Sequence, residues 1–266
     1  MTTAHADGKM LSDVTDGIGT ITINQPEKRN AMSVEMWVAL GEILDAFETD
    51  QAVRVCVMQG AGDEAFISGA DISQFDKLRG NARAQREYDR LTTSGRARLA
   101  AFPKPLIAKI RGFCLGGGLG VAMQADLRFA SEDAQFGIPA AKLGIAYGFE
   151  VTRRLVSLVG PAEARLLLMT GERIPAVEAR RVGLVNRVFP AAELDAAVAR
   201  LAATIVGNAP LSVRAAKLIV AQTVRDPEQR DMAAVDAVMA QCFDSADYRE
   251  GRAAFMEKRK AVFTGS

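Results

Sequence analysis

Histidine is almost absent from this chain. His5 is the only one in 266 residues, and it stands near the start. That scarcity excludes Ser-His-Asp and Cys-His nucleophilic catalysis, and metal sites built on imidazole. Cysteine is nearly as rare. Cys56, Cys114 and Cys242 are odd in number, and no pair has metal-ligand spacing. Cys56 and Cys114 sit among apolar neighbours, which fits small buried hydrophobes and a reducing, cytoplasmic setting. No apolar run approaches the roughly 20 residues that a membrane span requires. An excess of one charge is missing as well, since 33 Lys and Arg face 32 Asp and Glu. With net charge +1 and no basic stripe, nucleic acid is not an expected partner. Met1 to Lys9 has neither an apolar signal core nor transit-peptide arginines, and reads as a loose tail. Chemistry must come from carboxylates, tyrosine, lysine or the main chain.

What is present is a core-forming composition, 49% apolar and 24% charged. Gly17 to Asn24 alternates as a strand and closes on Pro26. Ser33 can cap a helix with the stripe Val34, Trp37, Gly41, Leu44 and Phe47. Val53 to Met58 has the continuous apolar character of a strand covered on both faces. A helix from Ala82 to Phe102 carries Tyr88, Leu91, Gly95, Leu99 and Phe102 at helical spacing, and Pro103 and Pro105 end it. Strands follow at Leu106 to Ile110 and Asp126 to Ala130, with Gln135 to Pro139 as a loop. Helices are expected from Gly148 to Leu158 and from Pro161 to Met169, then a strand from Val185 to Phe189. After Phe189 four helices are expected: Ala191 to Val206, Pro210 to Val224, Glu228 to Phe243 and Asp247 to Val262. The plan is a tail (1–10), an α/β core (11–200) and a helical end piece (201–266).

Two stretches bring bare main chain close to something else. Gly112-Phe113-Cys114-Leu115-Gly116-Gly117-Gly118-Leu119-Gly120 joins the Leu106 strand to an apolar helix. Consecutive glycines there allow close approach, and a helix N-terminus adds partial positive charge. Phe66-Ile67-Ser68-Gly69-Ala70-Asp71-Ile72 follows a buried strand and also leaves amides accessible. Two amides from separate strand ends converging on one oxygen would make an oxyanion hole.

With Lys28-Arg29-Asn30-Ala31, Phe136-Gly137-Ile138-Pro139, Leu143-Gly144 and Phe255-Met256-Glu257-Lys258-Arg259, these stretches form an ordered set from about Ile21 to Phe263. The set resembles the crotonase superfamily, the enoyl-CoA hydratase/isomerase family. The resemblance implies a crotonase-like (ClpP/crotonase) α/β spiral of ββα-type turns with a C-terminal helical trimerisation region. It implies self-association as a homotrimer or a dimer of trimers. It further implies an acyl-CoA thioester as substrate, with no metal and no separate cofactor. By position the hole would use the amides of Ala70 and Gly117. Lys28, Arg29 and Ala31 match the segment that holds the adenine end of CoA, and Lys258 a position that meets its phosphates. Ser68, Asp71, Ile72, Gly116, Pro139, Gly148 and Phe255 complete the expected substrate-binding set, with Asp71 chiefly bracing its loop.

The chain departs from the hydratase pattern at the two glutamates that handle water. Gly120 and Ala140 occupy their places, and neither can transfer a proton. Tyr147 and Glu150 are the candidates to fill the gap. A phenol is a good donor and a poor base, or simply an aromatic wall. Glu150 could be a relocated base, or a carboxylate placed to suit a helix dipole. Asp76, Glu87 and Tyr88 fall in the wall after the first site and read as solvated. The ten methionines could line an acyl pocket or fill core gaps. The functions these residues allow are an acyl-CoA enzyme with non-standard proton transfer, a decarboxylase-like enzyme using Tyr147, and a non-catalytic acyl-CoA-binding scaffold.

Overall fold

The structure, a computed structural model, describes residues 1–71 and 82–266. Among the described residues the strands form two sheets. The larger contains β1 (Thr3–His5), β2 (Met10–Thr15), β3 (Ile18–Ile23), β4 (Val55–Gly60), β6 (Leu106–Ile110), β8 (Leu127–Ser131) and β11 (Arg187–Phe189), in the order β1-β2-β3-β4-β6-β8-β11. The smaller contains β5 (Ala65–Ile67), β7 (Phe113–Leu115), β9 (Gln135–Gly137) and β10 (Arg173–Pro175), in the order β10-β9-β7-β5. Pairing is parallel from β3 through β4, β6 and β8 to β11, and from β5 through β7 to β9.

The helices are α1 (Val34–Thr49), α2 (Ala82–Ala101), α3 (Gly117–Gln124), α4 (Phe149–Thr170), α5 (Ala176–Arg181), α6 (Leu194–Val206), α7 (Pro210–Thr223), α8 (Met232–Asp244) and α9 (Ala246–Met256). Chain order then defines three successive ββα turns: β4, β5 and α2; β6, β7 and α3; β8, β9 and α4. Each turn places one strand in each sheet before its helix, which is the spiral expected from the sequence.

The central strands are apolar on both faces because both faces are covered. Val55, Val57, Ile107 and Phe129 pack with Leu194, Val198 and Ala202 of α6. Cys56, Met58, Leu106, Ala108 and Ile110 turn the other way, into the main core with α1. In that core α1 contributes Met36, Trp37, Leu40, Ile43, Leu44 and Phe47. The glycines in the α1 and α2 stripes meet each other. A Cβ at Gly41 would lie 3.5 Å from Gly95 Cα, and one at Gly95 would strike Trp37 O at 2.1 Å. Those two glycines set how closely the helices cross.

Several elements differ from the sequence expectation. Thr3–His5 is a strand paired with β2 rather than a loose tail, and His5 Nε2 lies 2.8 Å from Ser12 Oγ. The expected Gly148 and Pro161 helices are both there, joined in the span α4 and separated by Gly160 with non-helical φ 76° and ψ 166°. Tyr88 is buried, not solvated. The last helix ends at Met256, after which Lys258 adopts φ 54° and the chain runs on without helix. That final segment is held by Asp247, whose carboxylate accepts from Thr264 N at 2.7 Å and Gly265 N at 2.9 Å. Arg54, at the head of β4, donates to Val206 O at 3.2 Å and Phe263 O at 3.0 Å. Among the described residues no single helix is long and apolar enough to cross a membrane.

Gly95→Ala should lower stability by about 1–3 kcal/mol, because the new methyl must displace the Trp37 carbonyl. Thermal unfolding measures this; an unchanged Tm would show that the helix crossing is not set by Gly95.

Candidate active site

The site is built where β5 and β7 end. The two strands are parallel neighbours, with Ala65 opposite Phe113 and Ile67 opposite Cys114. Their carboxyl ends therefore lie side by side, and Ser68–Ala70 emerges next to Gly116–Gly117. Gly118 makes this possible, since a Cβ there would lie 2.1 Å from Ile67 O.

Ala70 is held by a parallel bridge to Met32. Met32 N donates to Gly69 O at 2.9 Å, and Asp71 N donates to Met32 O at 3.0 Å. In that pattern the N–H of Ala70 itself faces away from Met32. Gly117 stands on that side: a Cβ at Gly117 would lie 3.8 Å from Ala70 N. Gly117 is the first residue of α3, so its N–H has no acceptor one turn back. The main chain at Ala70 and at Gly117, from distant parts of the sequence, thus lies close together at a helix N-terminus, where partial positive charge gathers.

Tyr147 fixes one of them. Its hydroxyl donates to Gly116 O at 2.9 Å. The Gly116 carbonyl and the Gly117 N–H belong to one planar trans peptide and point in opposite directions. Holding the carbonyl on the Tyr147 side therefore aims the N–H at the other side. Gly116 reaches this orientation with φ 51° and ψ −119°, where a side chain would be strained. Burial pushes the Tyr147 phenol well above its usual range, the Cys114 thiol adds to the rise, and Arg96 opposes part of it.

Gly120 lies against Tyr147. A Cβ at Gly120 would lie 3.2 Å from the Tyr147 hydroxyl and 3.4 Å from Val151 Cγ1. The tyrosine thus occupies the room that a longer residue at 120 would need. Ala140 is half-buried and packs against the core beside it. Glu150 is 72% exposed, and its carboxylate accepts from Arg153 at 3.0 and 3.2 Å. The exposed ion pair, one helical turn long, is what the structure gives that residue.

The loop expected to hold CoA wraps the Ala70 side. Lys28 Nζ bonds Asp71 Oδ2 at 2.9 Å, which raises the lysine and ties the two motifs together. Arg29 Nε reaches Glu64 at 3.3 Å, with its guanidinium over the Phe113 ring. Ser68 N donates to Arg29 O at 3.1 Å. Ala31 is buried, and its carbonyl accepts from Gln25 Nε2 at 3.3 Å. Pro139 sits 4.0 Å from a Cβ placed on Gly116, and Gly148 caps α4 in extended conformation. Leu115, Pro139, Lys142 and Arg173 line an adjoining cleft of about 420 Å³. Phe255 is exposed at the end of α9, with Lys258 just beyond it. Ile72 and Asp76 lie outside the described residues.

Asn30 is a brace that the sequence reading did not single out. It is fully buried with φ 56°. Its Nδ2 donates to Ala61 O at 2.9 Å and Ala65 O at 2.7 Å, while its Oδ1 accepts from Gln25 N. Asparagine tolerates the left-handed region better than most residues, and that was the available signal.

Residues 13–266 match the enoyl-CoA hydratase/isomerase family. The chain is 36% identical to a short-chain-enoyl-CoA hydratase of Clostridium acetobutylicum, over 91% of this chain and 92% of that one. It is 37% identical to a crotonyl-CoA hydratase of Syntrophomonas wolfei, over 96% and 97%. A crystal structure of an enoyl-CoA hydratase/carnithine racemase from Magnetospirillum magneticum superposes with a TM-score of 0.93 at 36% identity, covering 97% of this chain and 96% of that one. The chain belongs to the enoyl-CoA hydratase/isomerase family, and is an enzyme of that class with the crotonase fold.

Tyr147 should hold its proton beyond its ordinary value of about 10. A raised value means the folded state keeps the proton, so the stability it contributes is complete below that value and is lost as pH rises through the shifted one. Subtracting the phenolate absorbance titration of Tyr147→Phe from that of the unmodified protein should leave no step near pH 10; a step there would place the phenol in open solvent.

Proposed function

We propose that this chain binds an acyl-CoA thioester with its carbonyl oxygen between the amides of Ala70 and Gly117, and stabilises an enolate there. The observation that carries the reading is the adjacency of those two amides at the ends of β5 and β7, with Gly117 at the start of a helix. Charge that develops on the thioester oxygen meets two oriented donors and a helix terminus, the kind of stabilisation that removes about 3–4 kcal/mol of barrier per donor. Lys28, Arg29, Ala31 and Ser68 form the wall for the nucleotide end, Lys258 adds a contact to its phosphates, and Phe255 belongs to the same CoA-binding set.

Proton transfer does not follow the two-glutamate route, because Gly120 and Ala140 carry no titratable group. The Tyr147 proton is committed to Gly116 O, which supports a positioning role over that of a mobile acid. Glu150 is engaged by Arg153. This combination favours a second, narrower reading, a decarboxylase-like reaction. Loss of CO2 from a carboxylated thioester leaves the C–C bonding pair as the enolate, and a proton from water then completes the product. No side-chain base is needed to start it.

Self-association is part of the proposal. Val220, Val224, Met232, Met239, Phe243 and Phe255 are large, apolar and exposed along the helical end piece. A cytoplasmic setting suits the three unpaired thiols. Light scattering should give three or six times the chain mass; a single-chain mass would remove this part of the proposal.

Gly117→Pro deletes one donor at a first-turn position that accepts proline, and should lower kcat/KM by about 10²–10³-fold. Tyr147→Phe removes one of the two bonds to the Gly116 carbonyl, leaves the Gly120 N–H on it at 3.1 Å, and should cost roughly tenfold, the worth of one hydrogen bond. Both are measured against a panel of enoyl-, malonyl- and hydroxyacyl-CoA compounds. Absence of turnover with the whole panel, or variants equal to the parent protein, would leave a non-catalytic acyl-CoA-binding protein.

A further inference from the structure

One segment holds both ends of the helix that begins at Gly117. Tyr147, just before α4, donates to Gly116 O at 2.9 Å, at the start of α3. Arg154, inside α4, donates through Nε to Met123 O at 2.8 Å, at the end of α3. Between them, Val151 Cγ1 lies 3.4 Å from a Cβ placed on Gly120. Each contact joins residues 31 apart: 116 to 147, 120 to 151 and 123 to 154. A constant offset means that residues 147–154 run alongside α3, in the same direction and in register.

α3 needs such support. It has eight residues, and Gly117, Gly118 and Gly120 stand among its first four. Each glycine costs about 1 kcal/mol of helix propensity against alanine, and so short a helix does not persist by itself. The direction of its first N–H is therefore set by what grips it. Leu155, beside Arg154, is fully buried in the main core and anchors the α4 side. The Arg154 side chain is half-buried, and Met123 O is its one hydrogen-bond partner among the described residues. A cation suits that place, because the last carbonyls of a helix carry partial negative charge. Arg128 adds a bond to Ala125 O at 2.6 Å just beyond, but it comes from β8 and shares no segment with Tyr147.

We propose that Arg154 is a positioning residue for the amide pair: with Tyr147 it clamps α3 lengthwise, so that the Gly117 N–H keeps its aim at the thioester oxygen. This rests on the oxyanion reading above and adds to it a residue that touches no substrate. Met123 lies six residues along α3 from Gly117, an axial rise of about 9 Å. Releasing that far end lets the helix pivot about the Tyr147 bond, and a donor turned off its axis weakens steeply.

Acetoacetyl-CoA is the probe. Its α-proton is acidic enough to leave to solvent, so no side-chain base is needed, and its enolate absorbs in the ultraviolet apart from the keto form. With saturating protein at fixed pH, the enolate-to-keto ratio reads stabilisation of the charged oxygen independently of affinity. The parent protein should raise that ratio above its value for free acetoacetyl-CoA. Arg154→Met places a methyl where Nε stood, and should lower the raised ratio about fivefold, the worth of one hydrogen bond. Arg154→Gln places an amide nitrogen at that same position without the charge, and should recover most of the loss. Circular dichroism checks folding; Arg154→Ala, which lets water reach Met123 O, replaces a methionine variant that does not fold. An unchanged ratio in the variant lacking the donor would overturn the Arg154 assignment and leave the oxyanion reading standing. An equal loss in Arg154→Gln would overturn it too, since charge and not the bond would then matter. So would failure of both Arg154→Met and Arg154→Ala to fold, which would make Arg154 a stability residue. A parent protein that does not bind acetoacetyl-CoA, or binds it without raising the ratio, would overturn both readings.

Discussion

Parallel pairing sends the carboxyl ends of adjacent strands to the same edge of a sheet. In this protein that constraint acts on two strands of only three residues each, β5 and β7. Because they are neighbours, Ser68–Ala70 and Gly116–Gly117 leave the sheet together although they are far apart in sequence. Everything proposed for the site depends on that pairing. The larger sheet holds it in place, because β4 leads into β5 and β6 into β7 across very short connections. The apolar residues that bury the central strands therefore also fix the position of two main-chain amides.

Glycine serves three distinct purposes around the pair. Gly118 allows α3 to start against Ile67 O, Gly116 supplies a backbone turn with positive φ, and Gly120 leaves room for Tyr147. The last two are linked through a single phenol. Its hydroxyl both lies over Gly120 and donates to the Gly116 carbonyl. A glutamate at 120 and a tyrosine at 147 compete for one volume. Gly120 and Tyr147 are thus coupled in packing, since a Cβ at 120 would lie 3.2 Å from the phenol oxygen.

Much of the scaffold was legible from periodicity. The β4, β6 and α2 spans follow directly from apolar runs and stripes, and the glycines within the α1 and α2 stripes turned out to face each other. The second sheet was not legible. Strands of three residues show no period, and Phe113–Leu115 was hidden in a glycine-rich stretch whose neighbours are supplied by distant segments. The amide pair could be named from the resemblance, but the Tyr147 bond to Gly116 spans 31 residues and depends on a tertiary contact. The last helix was overextended because Lys258 adopts a left-handed conformation that its side chain does not announce. Asp247, unremarkable in sequence, is what gathers the segment beyond it.

Arg54 links three regions through one side chain. It begins beside β4, reaches the end of α6 at Val206, and meets the closing stretch at Phe263. The end piece is therefore fastened to the middle of the large sheet and not only to its own helices. Loosening it would strip both of these carbonyl acceptors from a guanidinium next to the central strand, which costs the hydrogen bonds they make. Arg54 is thus a direct tie between the closing stretch and the strand β4.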